Sequence, residues 1–257
     1  MKTTGNTILI TGGGSGIGRG LAEAFHKLGN KVIIAGRRKS VLDETTAANP
    51  GMASAVLNIE DAASIRSFVA QLAIDHPTLN VVIHNAGIMR PENILADPYD
   101  VADAESIITT NLLGPIRLTA AMLPQLKKQP NATIVTVTSG LAFIPLALTP
   151  TYNATKAAIH SWTQALRYQL KSTNIEVLEI APPYVQTELM GSAQAADPRA
   201  MPLKDFIDEV IHLIQTQPNA TEILVERVKP LRFAEQNGPE KYEAFFKQFN
   251  DAMNHPH

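Results

Sequence analysis

The 257-residue chain contains no cysteine. That excludes disulfides, iron–sulfur ligation, cysteine-held zinc and a thiolate nucleophile together, and it fits a reducing, cytoplasmic setting. Charge of one sign is also lacking. Twenty-two Lys and Arg against 24 Asp and Glu give a formal net charge of −2, so no global field recruits nucleic acid or anionic lipid. Lys2, Thr3, Thr4 and Gly5 stand where a secretory signal would begin its apolar run. The longest charge-free stretch, 129–155, is interrupted by Pro130, Gly140, Pro145 and Pro150; it reads as buried strand and pocket loops rather than a membrane span. The seven histidines (26, 76, 84, 160, 212, 255 and 257) form no HExxH or other tight ligand pattern, so no catalytic metal is expected. His84 reads as a residue packed at a strand end. No GxSxG elbow is present either.

What is present is ordinary for a folded protein: 45% apolar and 18% charged residues. Short β-branched runs alternate with segments of helical patterning. Strands are predicted at Thr7–Thr11, Lys31–Gly36, Ala53–Ile59, Asn80–His84, Ala132–Thr138, Ile175–Ala181 and Glu222–Glu226. Helices are predicted at Gly16–Leu28, Ser40–Ala48, Asp61–Asp75, Asp103–Lys128, Tyr152–Lys171, Leu203–Gln215 and Pro239–Met253. Runs such as Ile8-Leu9-Ile10 and Val32-Ile33-Ile34 do not alternate, as expected of strands covered on both faces. The expected fold is α/β: a Rossmann-type, doubly wound three-layer sandwich with a parallel sheet of about seven strands. Residues 1–257 read as a single dinucleotide-binding domain, with a small, polar substrate loop near 187–202.

After the first strand comes Thr11-Gly12-Gly13-Gly14-Ser15-Gly16-Ile17-Gly18. Glycines permit a tight turn and close approach of a ligand to backbone, and the helix that follows offers unpaired N–H groups to a phosphate. The glycines at 12, 16 and 18 are spaced GxxxGxG. With Tyr152-Asn153-Ala154-Thr155-Lys156, His84-Asn85-Ala86-Gly87 and Asn111, they make the chain resemble the short-chain dehydrogenase/reductase family, whose marks are TGxxxGxG, NNAG, a helix asparagine and YxxxK. Tyr152 follows Ser139 by 13 residues, the separation usual in that family. A paired Pro182-Pro183 resembles the branch named for an association with D-alanylation of teichoic acid.

The resemblance implies a nicotinamide dinucleotide held by Gly12, Gly14, Ser15, Gly16, Ile17 and Gly18. It places Asn58 and Ile59 near the adenine and Asn85, Ala86 and Gly87 along the adenosine. Pro182, Val185 and Thr187 would lie by the carboxamide, with Pro183 replacing a glycine and restricting the path there. It makes Ser139 the hydrogen-bond donor to substrate oxygen, Tyr152 the acid/base, and Lys156 the group that lowers the tyrosine pKa and holds the ribose. Asn111 would keep a water-linked proton path to the lysine. The second predicted strand ends in Gly36, not in the acid that selects NAD, and Arg37 and Arg38 follow; NADP is the expected cofactor, with NAD not excluded.

The expected activity is hydride transfer between nicotinamide and a carbonyl or secondary alcohol. The alternatives are an NADP-bound sensor and a serine-dependent esterase. Residues 139–148, with Tyr184, Leu189 and Met190, are candidates for an apolar substrate wall or for core and oligomer packing. The tail segment 223–233 would border substrate or a neighbouring subunit. Ala158, Trp162 and Ala165 lie on a helix face that the resemblance assigns to a homodimer or homotetramer.

Overall fold

The unalternating apolar runs become the strands of one sheet. In the computed structural model, which describes residues 1–253, β1 (Thr7–Thr11) leads through α1 (Gly16–Lys27) to β2 (Lys31–Gly36). α2 (Lys39–Ala48), β3 (Ala53–Val56), α3 (Ala62–Asp75) and β4 (Val81–His84) follow. The chain continues through α4 (Ala102–Ile108), a π-helical segment Thr109–Leu113, α5 (Gly114–Leu126), β5 (Ala132–Val137) and α6 (Pro150–Leu170). It ends with β6 (Ile175–Ile180), α7 (Ser192–Ala196), α8 (Leu203–Thr216), β7 (Glu222–Ile223), α9 (Lys229–Arg232) and α10 (Pro239–Met253).

All seven strands pair in parallel, in the order β3-β2-β1-β4-β5-β6-β7. The order reverses direction between β1 and β4, the switch point at which the strand ends of such sheets open a crevice. Every residue of β1, β4 and β5 is buried. Phe25 of α1 and Phe206 and Val210 of α8 cover one face. Ile65 and Leu72 of α3, Leu118 and Met122 of α5 and Leu170 of α6 cover the other. The three-layer sandwich is therefore as expected.

Four differences have local causes. β3 stops at Val56 because it is an edge strand with alternating burial; beyond it Leu57 and Ile59 are buried while Asn58 faces out. β7 keeps only two residues before the chain turns into short helical segments from Glu226 onward. The 187–202 loop contains α7. The single helix expected over 103–128 is interrupted by the π-helical segment, whose cause is Pro115. Proline has no N–H to donate to the carbonyl four residues back, which is that of Asn111; the turn widens there.

His84, at the end of β4, is buried. Its Nε2 lies 2.8 Å from Thr119 Oγ1, while Nδ1 is buried without a partner among the described residues. Burial pushes its pKa down to about 4, so it is a neutral core residue. His255 and His257 lie outside the described residues.

Candidate active site

The crevice at the strand ends is a cleft of about 1300 Å³, and its floor begins at the glycine turn. Gly12 has φ +66°, and a Cβ there would sit 2.9 Å from the Cα of Ala86. At Gly18 a Cβ would come 2.2 Å from the carbonyl oxygen of Gly12. Only hydrogen fits at either place, so α1 starts directly against the turn, and the unpaired N–H groups of a helix's first turn suit an anion. Gly12, Gly14, Ser15, Gly16 and Ile17 line the cleft; Gly18 serves by packing behind them.

Thr11, the first residue of the glycine motif and the last of β1, fixes the turn to β4. Its hydroxyl accepts from the N–H groups of Asn85 and Ala86, each at 3.1 Å. Asn85 Nδ2 donates to the carbonyls of Thr11 and Gly12 at 3.1 and 3.3 Å. The Asn85 amide is thus committed to holding the loop, while Asn85, Ala86 and Gly87 also line the cleft.

Gly36, Arg37 and Arg38 border the outer end of the cleft with Val41, Leu42, Leu57 and Ile59. Arg37 is half exposed and donates through Nη1 to Glu60 at 2.7 Å. Glu60 also accepts from Thr110 Oγ1 at 2.9 Å. That partner was not legible from spacing, since Glu60 follows β3 and reaches back across the sheet edge. Asn58 differs from expectation. Its side chain is exposed and accepts from the N–H of Glu60 at 3.2 Å, and it does not line the cleft; Ile59 does.

At the centre stand the ends of β5 and α6. Pro150 starts α6, and two turns of this helix bring Tyr152 and Lys156 onto one buried face. Lys156 Nζ donates to the Val137 carbonyl at 2.8 Å and lies 5.5 Å from the centre of the Tyr152 ring. Ser139 is buried beside the tyrosine, and its Oγ accepts from the N–H of Leu141 at 3.1 Å.

Burial pushes the Tyr152 phenol up to about 12, although a hydrogen bond with Ser139 pulls the other way. Burial likewise pushes Lys156 down to about 8, opposed by the charge of Glu179. The expected lowering of the tyrosine by the lysine is not the dominant effect in the protein alone. Desolvation wins, and the phenol is a proton donor at neutral pH.

Asn111 sits in the π-helical segment and does not line the cleft. Its Oδ1 accepts from Ile88 N–H and its Nδ2 donates to the Ile88 carbonyl, both at 2.9 Å. Nδ2 also donates to Thr155 Oγ1 at 3.3 Å. The side chain therefore clamps the loop after Gly87 to α6, close to the lysine: a Cβ on Gly87 would be 3.3 Å from Asn111 Oδ1 and 3.7 Å from Lys156 Nζ.

Pro182, Pro183, Val185 and Thr187 form the opposite lip. Gly140 N–H donates to Pro182 O at 2.8 Å, so the carbonyl of the first proline, which needs no donor of its own, anchors the lip to the β5 end. Gln194 of α7, absent from the expected set, donates to Val185 O at 2.9 Å and to Thr187 Oγ1 at 3.1 Å. Beyond the tyrosine the wall is apolar: Met89, Leu141, Leu146, Leu189 and Met190, closed by Phe249 and Met253 from α10. The two α10 residues are four apart, a helix-face signal that was readable; their place over the site was not. Leu231, within the 223–233 tail, also borders the cleft.

A crevice at the switch point of a parallel sheet, with a glycine turn at one end and a buried Ser-Tyr-Lys group in the middle, defines a class of dinucleotide-dependent folds. The chain matches the short chain dehydrogenase family over residues 6–198 and belongs to that family of oxidoreductases. It is 37% identical over 257 residues to the uncharacterized oxidoreductase DltE of Bacillus subtilis, covering 99% of this chain and 100% of the relative. A short chain dehydrogenase from Burkholderia cenocepacia, solved in complex with NADP, superimposes with TM-score 0.82 at 22% identity over 96% of this chain and 99% of its own. A short chain dehydrogenase/reductase from Burkholderia phymatum, in complex with NAD, gives TM-score 0.79 at 19% identity over 92% and 95%.

Proposed function

We propose that the whole chain acts as one NADP-preferring dehydrogenase/reductase domain interconverting a carbonyl compound and its secondary alcohol. The observation that carries this reading is the burial of Ser139, Tyr152 and Lys156 together, midway along a cleft that begins at a turn where Gly12 and Gly18 admit no side chain. The cofactor class fits that cradle, and the solved relatives with NADP or NAD support it. Gly12, Gly14, Ser15, Gly16 and Ile17 would hold the diphosphate, with Gly18 keeping the turn closed. Ile59, Asn85, Ala86 and Gly87 would line the adenosine side, while Tyr152, Lys156, Pro182, Val185 and Thr187 would surround the nicotinamide end.

When bound, the nicotinamide supplies or accepts the hydride. The chain's own residues handle the proton. Ser139 orients the substrate oxygen, and Tyr152, protonated in its buried setting, donates to that oxygen as it gains charge. Lys156, charged below about pH 8, stabilises the phenolate left behind. Asn111 holds the segment around Ile88 that shapes this corner. The apolar wall from Met89 to Met253 supports an apolar or aromatic carbonyl substrate. Neither the sensor nor the esterase alternative gains support from the site.

NADP preference rests on Gly36 and Arg37. Glu60 engages Nη1 of Arg37 only, leaving the rest of the guanidinium for a phosphate. Arg37→Ala is expected to weaken NADPH binding about tenfold while changing NADH binding little. Fluorescence titration of both nucleotides checks this; equal losses for the two, or tighter NADH binding by the parent, contradict it.

No helix among the described residues is long and apolar enough to cross a membrane, and the cytoplasmic reading continues to rest on the lack of cysteine. Ile108 and Leu113 leave apolar surface exposed near the α4–α5 junction, which supports the homodimer or homotetramer reading. Sedimentation should show such an assembly; a monomer rejects it.

A further inference from the structure

Beneath α6, the apolar seam between β5 and β6 carries one fully buried carboxylate. Glu179 stands between Leu178 and Ile180, has no solvent exposure, and lies level with Thr136 of β5. Thr138 Oγ1 donates to its Oε1 at 2.7 Å, and His160 Nδ1 lies 2.9 Å from both its oxygens. His160 is one helical turn beyond Lys156, on the same face of α6. Lys156 Nζ is bound to the carbonyl of Val137 and Glu179 to the side chain of Thr138. The ammonium and the carboxylate are therefore tied to consecutive residues, the last of β5 and the one after it, immediately before Ser139.

Taking the oxidoreductase reading of this site as given, we propose that Glu179 is a positioning residue for the reaction: held by Thr138 and His160, it is the counter-charge that keeps Lys156 protonated. An ammonium out of contact with water loses its charge unless an opposite charge compensates, and Glu179 is the group that opposes the effect of burial on Lys156. Lys156, His160 and Arg167 of α6, Glu222 of β7 and Arg232 of α9, with Glu235 near the arginine, are the charged and titratable groups around it. Arg232 grips Glu222 through two hydrogen bonds, at 2.7 and 3.0 Å. Glu222 is thereby neutralised, and Glu179 remains the carboxylate available to the lysine and histidine. His160, Glu179 and Glu222 also have the composition of a cation site, but His160 and Arg232 already engage their oxygens.

The test follows the side-chain nitrogen of Lys156 by NMR in lysine-labelled protein, its signal assigned by loss in Lys156→Met. Glu179→Gln keeps the shape and removes the charge; the lysine should then titrate lower by about one pH unit. Glu179→Asp disturbs packing more but keeps the charge, and should shift the titration by less than half as much. No shift in either variant, or equal shifts in both, overturns the proposal, since packing alone would then account for Glu179. If Glu179→Gln fails to fold, Glu179→Asp carries the test: a small downward shift is expected, and none overturns it. The alkaline limb of carbonyl reduction should move down with the lysine in Glu179→Gln; a lysine that moves without the limb overturns the positioning role. The titration needs no substrate, so if the parent reduces no carbonyl while the lysine shift is intact, it is the reaction assignment that has failed.

Discussion

Tyr152→Phe should lower turnover about a thousandfold, the range lost when a positioned general acid is removed, while NADPH binding stays within a factor of about two. The asymmetry follows from where the hydroxyl sits. The ring is buried against Met89, Ile107 and Leu146, and phenylalanine fills the same space. The glycine turn, at the other end of the cleft, is untouched. Single-turnover kinetics with nucleotide binding measured in parallel checks both halves. Full activity in Tyr152→Phe would remove the tyrosine from the reaction, and lost nucleotide binding would make it a structural residue.

The second large effect concerns stability. Histidine has an ordinary pKa near 6.5, and His84 is pushed down to about 4 by burial. Between these values the unfolded chain takes up a proton that the folded chain refuses, so folding weakens as pH falls. The stability from a neutral His84 is fully present above about pH 6.5 and is lost on going down through about pH 4, up to about 3 kcal/mol in all. His84→Asn keeps a polar partner for Thr119 and cannot titrate. Urea unfolding at neutral pH and again near pH 4.5 should show the parent losing about 2–3 kcal/mol more than the variant. Equal losses in the two proteins would mean that the histidine is protonated, or reached by water, in the folded state.

How far these features were legible depended on whether their cause was local. β1, β2 and β5 could be read nearly to the residue, because burial on both faces produces unbroken β-branched runs. β3 could not be ended correctly: Leu57 and Ile59 are as apolar as strand residues, and only the sheet edge distinguishes them. Pro115 was visible, yet its effect on the carbonyl of Asn111 depends on a helix path that sequence leaves open.

The same division runs through the candidate site. The glycine turn and the Tyr152–Lys156 pair follow from spacing within one element. Glu60 on Arg37, Gln194 on Thr187 and the α10 residues over the apolar wall come from distant segments. Glu179 carried a readable signal, a lone acid inside the buried run Val177–Ile180, but its partners His160 and Lys156 become apparent only when α6 lies across β6. Tyr152 divides in the same way: a nearby ammonium can be inferred from a four-residue spacing, whereas the desolvation that pushes the phenol up in the protein alone cannot.

The central claim is that this cleft brings a nicotinamide and a carbonyl together for direct hydride transfer. NADPH carrying deuterium at the transferable nicotinamide position, incubated with the protein and a panel of apolar and aromatic carbonyl compounds, tests it by mass spectrometry of the products. The expected product is an alcohol that has gained one deuterium on the former carbonyl carbon, formed by the parent protein and not by Tyr152→Phe. Tight NADPH binding with no deuterated alcohol from any member of the panel would contradict it.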